Sequence, residues 1–472
     1  MNREKNLIKN TLIITIGKVC TQLIAFFLLP LYTEILSTEE YGIVDLLNTL
    51  ASLLLPIITF QVEQAVFREL METRELFYEK KCIISNSIIS LTFQCFIFLL
   101  IFTTISPLVH NKYKYFLVIN IIVSIYNSLF LQIARGFGDN TKYAIGSFIN
   151  ALFTIIFNIL FLVVNKLGVN GMLLGTLLGQ AVSLIYLFFS LKVYKYISIY
   201  LFNKKVIKAL WKYSLPLIPN QISWWVFNSS DRVIVSMLLG LSSTGILSAS
   251  NKFSSMLVTV YNIFNMSWTE SISLHINDKD IKVYYNKMFN IILNLFTSIA
   301  IGMISFMPFI YPIMINSKFS TGYGLVPILI LSALFSIIVS LVGVIYVAEK
   351  STKEVANTSI MAAIINIVSH LVLIKFLGLY AAAISTFLAY FIMAFYRLID
   401  VGDKFFAVKL NKENSIRTLI IIIIVLTLYY INNIYLNILS ILISVIFAWV
   451  INRKSINLIL EKFLKKIWRV KL

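Results

Sequence analysis

The chain has 472 residues, of which 59% are hydrophobic and 13% charged, and its mean hydropathy is +0.87. Ordinary soluble proteins carry about 25% charged residues, so this composition excludes a water-soluble fold and places the chain in a bilayer. The formal charge of +19 would suit nucleic acid, but the basic residues form no domain of their own and sit in short segments between apolar runs, which excludes that class.

In chain order, apolar runs near the roughly 20-residue spanning length fall at 10–34, 41–67, 82–106, 115–135, 143–165, 171–191, 213–239, 244–270, 288–311, 325–348, 355–374, 379–396, 416–432 and 434–451. They predict an all-α integral membrane protein of about fourteen transmembrane helices. The first run exceeds the roughly 7–15-residue core of a signal peptide and lacks a small-residue cleavage site, so it reads as a retained span. With the N-terminus inside, the segments 1–10, 68–81, 135–142, 192–212, 279–287, 350–353, 397–417 and 453–472 hold 32 of the 40 Lys and Arg residues. The outer segments hold five: Lys112, Lys114, Lys166, Lys318 and Lys375. This positive-inside bias predicts an even number of spans, both termini cytoplasmic, and residence in the inner (cytoplasmic) membrane. The tail residues Lys462, Lys465, Lys466, Trp468, Arg469 and Lys471 predict an amphipathic helix on the anionic inner leaflet.

Two of the runs carry the same polar stripe. Asp45, Thr49, Ser52, Pro56, Thr59 and Glu63 match Ser248, Lys252, Ser255, Thr259, Asn262 and Met266, both at 4,3,4,3,4 spacing. That spacing keeps each set on one helix face, which in a membrane turns toward protein or water. The repeat extends further: Tyr41-Gly42-Ile43-Val44 meets Thr244-Gly245-Ile246-Leu247, and Leu167-Gly168 with Thr176 meets Leu377-Gly378 with Thr386. Spans 1–6 and 7–12 therefore read as two pseudo-symmetric six-helix lobes in parallel orientation, over residues 1–195 and 196–400. Residues 401–472 add two helices and the basic tail, and 192–212 is the inter-lobe linker. Duplicated bundles with a wet interface suit alternating access, so the chain reads as a transporter.

Several segments also resemble a known family. Leu28-Leu-Pro-Leu-Tyr-Thr-Glu-Ile-Leu-Ser-Thr-Glu-Glu-Tyr-Gly42, Asn228-Ser-Ser-Asp-Arg232, Leu239-Gly-Leu-Ser-Ser-Thr-Gly245 and Gly378-Leu-Tyr-Ala-Ala-Ala383 are similar to the polysaccharide biosynthesis flippases. These are Wzx-like members of the MATE-like, or MOP, transporter superfamily. The resemblance implies movement of an undecaprenyl-diphosphate-linked oligosaccharide, such as an O-antigen or capsule repeat unit, from the inner to the outer leaflet. It also implies membrane lipids, a polysaccharide polymerase and chain-length machinery as partners.

Seven ionisable residues fall inside the predicted spans: Lys18, Asp45, Glu63, Asp231, Arg232, Lys252 and Glu270. Each costs about 2.5–3.5 kcal/mol on insertion scales, so such residues tend to face the bundle interior. Lys18, on a face with Gln22, is a candidate phosphate-binding cation, with snorkelling to the membrane surface as the alternative. Gln221, Trp225, Asn228 and Arg232 form another stripe, which predicts that Arg232 faces the cavity while the adjacent Asp231 points elsewhere. Asp45 and Lys252 lie about one turn apart at corresponding depths on repeat-related helices, so the two could pair across the cavity, either as a static structural pair or as a gate. Glu63 and Glu270 are candidate proton or sodium carboxylates. Arg135, after the fourth span, is a candidate phosphate contact at the inner mouth.

Three cysteines, Cys20, Cys82 and Cys95, lack metal-ligand spacing, and no phosphate-loop motif occurs, so no cofactor is expected beyond the coupling ion. Short outer loops poor in His and Arg argue against a glycosyltransferase, so the chain reads as a non-enzyme. A lipid-linked peptidoglycan-precursor flippase and a MATE-type drug exporter stay open, although drug exporters carry a carboxylate in the first span where this chain has Lys18.

Overall fold

The computed structural model describes residues 26–108 and 111–470. Every regular element in this part is helical. In chain order these are α1 (Leu29–Ile35), α2 (Thr38–Thr59), α3 (Val62–Glu72), α4 (Phe77–Ile105), α5 (Lys114–Gly136), α6 (Asn140–Ile159), α7 (Gly168–Ser190), α8 (Lys204–Ser214), α9 (Ile218–Leu238) and α10 (Leu241–His275). They are followed by α11 (Ile281–Met314), α12 (Val326–Ala348), α13 (Thr352–Leu377), α14 (Tyr380–Lys404), α15 (Lys412–Ile431) and α16 (Ile434–Val470).

Eleven of these helical segments are long and apolar enough to cross a membrane, so the protein is an all-α multi-pass membrane protein. The expected count of fourteen exceeds this for two reasons. Most of the first expected span lies outside the described residues. The helices α9 and α10 have spanning length but carry the polar stripes, which lower their apolarity. The chain forms two compact units, Met1–Ser248 and Ala249–Leu472.

In the first unit, the second expected span is not one helix. A capping box starts α2, with the Glu40 amide donating to Ser37 Oγ at 3.2 Å and the Ser37 amide donating to Glu40 Oε2 at 2.9 Å. The helix ends after Thr59, because Phe60 and Gln61 both adopt left-handed backbone conformations, at φ 49° and 55°. For residues with a Cβ this costs roughly 1–2 kcal/mol each. One tertiary contact and one local hydrogen bond hold the break: the Phe60 ring packs edge-on against Trp211, and the Gln61 amide donates to Thr59 Oγ1 at 3.1 Å. The chain then resumes as α3, whose Val62, Val66 and Leu70 are fully buried against Ile121, Ile125, Leu129 and Ile133, a single i, i+4 face of α5. The α6–α7 hairpin packs closely at Gly175 and Gly179, where a Cβ would meet Asn158 and Thr154 atoms at 2.0 and 2.1 Å.

In the second unit, α12 is the central element, apolar all round and largely buried between α11, α13 and α14. Hydroxyl and amide pairs join α11 to α16, with Ser440 Oγ donating to Ser305 Oγ at 3.0 Å and Asn452 Nδ2 donating to Ser298 Oγ at 2.8 Å. Arg397, expected in a cytoplasmic loop, is instead buried within α14 at 4% exposure. Its Nε and Nη2 donate to Thr358 Oγ1 at 3.0 and 2.7 Å, and its Nη1 donates to the Val339 carbonyl at 3.2 Å. Gly343 makes the space, since a Cβ there would lie 2.6 Å from Nη1. We expect Arg397→Ala to cost about 3 kcal/mol through unpaired groups and lost packing, and Gly343→Ala to destabilise in the same direction. Thermal unfolding of the detergent-purified protein checks both, and melting points equal to the parent's would refute the assignment.

Candidate functional site

The first polar stripe is built into a site on α2, α9 and the start of α10, all within the first unit. Along α2, Thr49, Pro56 and Thr59 are buried, Asp45 is half-buried and Ser52 is exposed, so most of this face is covered by protein. The helix α9 packs against it. Phe227 and Val235 are buried on α9, and Asp231 shares their i, i+4 register, whereas Trp225, Asn228 and Arg232 lie on the adjoining face.

Arg232 reaches Asp45, with its Nε 2.9 Å from Asp45 Oδ2, and each side chain keeps only about a fifth of its surface exposed, at 20% and 18%. Arg232 Nη1 also donates to the Asn228 carbonyl at 3.2 Å, which orients the guanidinium from its own helix. Ser248 Oγ donates a short hydrogen bond to the same Asp45 oxygen. One turn further along α2, Trp225 Nε1 donates to the Thr49 carbonyl and to Ser52 Oγ, both at 3.0 Å. Its indole is thereby tied to α2 by the N–H that buried Trp residues usually satisfy.

The repeat-related positions meet here. Gly42 and Gly245 face each other: a Cβ on Gly42 would lie 2.0 Å from the Leu241 carbonyl oxygen, and a Cβ on Gly245 would lie 2.0 Å from the Thr38 carbonyl oxygen. The two contacts are reciprocal across the repeat, as in a two-fold packing of helix ends. Asp45 and Ser248 are the next repeat-related pair, and Thr38 Oγ1 and Ser242 Oγ lie 2.7 Å apart. The helices therefore approach backbone to backbone, and the Asp45–Arg232–Ser248 cluster closes the junction one turn below. A partly desolvated carboxylate with an Arg and a hydroxyl at hand is a polar cluster whose separation would leave a charge uncompensated.

The remaining candidates lie elsewhere. Arg135, in the last turn of α5, stacks on the Phe67 ring at 4.3 Å and donates to Gln132 Oε1 at 3.0 Å. Glu63 opens α3 just after the backbone break, and its Oε2 has no hydrogen-bond partner among the described residues. Lys252 and Glu270 belong to the second unit, where Lys252 is half-buried and Glu270 exposed. Arg232 engages Asp45, the carboxylate expected to pair with Lys252, because α9 places the guanidinium beside it. Lys18 and Gln22 lie outside the described residues. Among the described residues, no group of three or more His, Cys, Asp or Glu side chains could hold a metal ion.

The solved structures similar to this chain share its fold. A multidrug resistance MATE family transporter of the MOP superfamily, in an inward-facing conformation, aligns at a TM-score of 0.68 and 11% identity over 81% of this chain and 95% of that one. The lipid II flippase MurJ, in an inward closed conformation, aligns at 0.68 and 18% identity over 94% of this chain and 100% of that one. An outward-facing MATE family transporter of the MOP superfamily aligns at 0.55 and 14% identity over 84% and 94%. No match is found among curated proteins. The polysaccharide biosynthesis protein family matches residues 7–269, more than half of the sequence and the whole of the stretch that builds the site. By this match the chain belongs to the polysaccharide biosynthesis protein family.

Proposed function

We propose that this protein moves a lipid-linked saccharide across the cytoplasmic membrane by alternating access, from the inner to the outer leaflet. The observation that carries the proposal is the family match over the stretch that holds the Arg232–Asp45 pair, since an intramembrane guanidinium is a group that can receive a diphosphate. In this reading the six-helix lobes 1–195 and 196–400 move against one another, with 401–472 appended, and both termini are cytoplasmic. Lys18, Gln22, Trp225, Asn228, Arg232, Lys252 and Arg135 line the substrate path. Asp45 and Asp231 serve the gate, and Glu63 and Glu270 are the carboxylates for a proton or sodium ion. Arg232 is shared between the two roles: a substrate diphosphate competes with Asp45 for its guanidinium, so cargo binding compensates for breaking the pair.

Within this class the cargo we propose is an undecaprenyl-diphosphate-linked oligosaccharide, handed on to a polymerase. A second reading, a peptidoglycan precursor, is favoured by the likeness over almost the whole chain to a lipid II flippase. The likeness to multidrug MATE transporters supports a third, drug export. Mass spectrometry of lipids extracted from cells depleted of the protein separates them. An accumulated oligosaccharide unit on the lipid supports the first, and an accumulated peptidoglycan precursor supports the second. Accumulation of neither, with raised drug sensitivity, would overturn both in favour of export.

A further inference from the structure

The linker 192–212, read from sequence only as a basic connection, builds a groove against α4. Its helix α8 carries Lys204, Lys205, Lys208 and Lys212 and no acidic residue. Leu210 is buried beneath it, the pattern of a helix lying in a membrane interface. The segment before it presents Ile199 and Tyr200 to the surroundings at 77% and 100% exposure, as interfacial anchors do. This segment is fastened in place. Ser85 Oγ accepts from the Ser198 amide at 3.0 Å, Asn86 Nδ2 donates to the Leu201 carbonyl at 2.9 Å, and the Asn203 amide donates to Asn86 Oδ1 at 2.7 Å. Asn203 Oδ1 in turn accepts from the Lys205 amide at 2.9 Å and caps α8. At the far end Trp211 Nε1 donates to Ser90 Oγ at 3.0 Å.

Between these fastenings lies a groove of about 530 Å³ walled by Ile89 and Phe93 of α4, Phe202 and Ile207. Lys204 and Lys208, one turn apart, stand on its rim and have no acidic partner at ion-pair distance among the described residues. An apolar channel with two uncompensated ammonium groups at one end matches an acyl chain with an anionic head. We infer that this groove binds one anionic phospholipid of the leaflet that the basic loops face. The acyl chain lies along Phe93 and Phe202, and the phosphate sits between Lys204 and Lys208. The site fixes the linker that joins the two repeats to the membrane surface, and it stands independently of what the protein transports.

Native mass spectrometry of the full-length protein, titrated with phosphatidylglycerol and with phosphatidylcholine of the same acyl chains, tests this. The parent protein should hold one phosphatidylglycerol in preference to phosphatidylcholine, and Lys204→Gln with Lys208→Gln should weaken that preference by roughly 30-fold. Ile89→Trp, which fills the groove without changing charge, should lower occupancy by both lipids. Gln at Lys462, Lys465 and Lys466 in the tail should leave the preference intact. Equal binding of the two phospholipids by the parent, or full preference in the double Gln variant, would overturn the assignment. Capture of undecaprenyl phosphate in place of phosphatidylglycerol at this groove would also overturn it, in favour of a carrier-lipid entry site.

Discussion

Arg232→Ala is expected to abolish translocation of lipid-linked saccharide while the protein still inserts and accumulates in the membrane. The substitution removes the Arg232 guanidinium from Asp45, a carboxylate about four-fifths covered. Breaking a largely buried pair from one side costs roughly 3 kcal/mol, more than the remaining hydrogen bond from Ser248 offsets on its own. Asp45→Ala should be damaging for the mirror reason. The charge-exchanged pair, Asp45→Arg with Arg232→Asp, should recover more activity than either single reversal. Because the proposed cargo also uses Arg232, recovery should be partial. Double-mutant analysis of translocation rate checks this, and additive losses with no recovery would mean that the two side chains are not coupled. The Asp45→Lys exchange with Lys252→Asp, which the sequence alone would favour, should rescue less, since it leaves Arg232 facing a second cation.

The second large effect is expected at the glycine junction. Gly42→Val or Gly245→Val would place side-chain carbon 2.0 Å from a backbone carbonyl oxygen, which no rotamer change relieves. The helix ends must part, at a cost of roughly 1–3 kcal/mol for the overpacking alone. Cysteines at Thr38 and Ser242, whose hydroxyls lie 2.7 Å apart, report on the junction directly. In the parent background they should cross-link under mild oxidation and halt transport, and reduction should restore it. With Gly42→Val added, the yield of cross-link should fall at least several-fold. Undiminished cross-linking in that variant would show that the backbone contact is not needed to close the junction.

Much of this site is legible in the sequence, and the parts that are not have physical reasons. The 4,3,4 spacing is a property of one helix, so it groups Thr49, Pro56 and Thr59, which are buried, with Ser52, which is exposed, on one face of α2. The repeat makes Asp45 and Ser248 equivalent positions, but equivalence says nothing of distance. Their contact depends on how closely Gly42 and Gly245 let the helices approach. Arg232 was separable from Asp231 by register, yet its partner depends on α9 packing against α2, which no local pattern encodes. The break at Phe60 and Gln61 carries no Gly or Asn signal, because it is held by Trp211 from a distant segment rather than by local preference. Arg397 ends an apolar run and so reads as the start of a loop. Its burial requires Thr358, Val339 and Gly343 from two other helices.

The most direct test of the account is a translocation measurement on the purified protein in vesicles. A fluorescent undecaprenyl-diphosphate-linked saccharide is distributed over both leaflets, and a membrane-impermeant quencher is added outside. The account predicts that vesicles holding the parent protein lose fluorescence beyond the outer-leaflet fraction, whereas vesicles holding the Arg232→Ala variant lose only that fraction. Quenching by the parent no greater than in protein-free vesicles, under proton and sodium gradients of either direction, would contradict it.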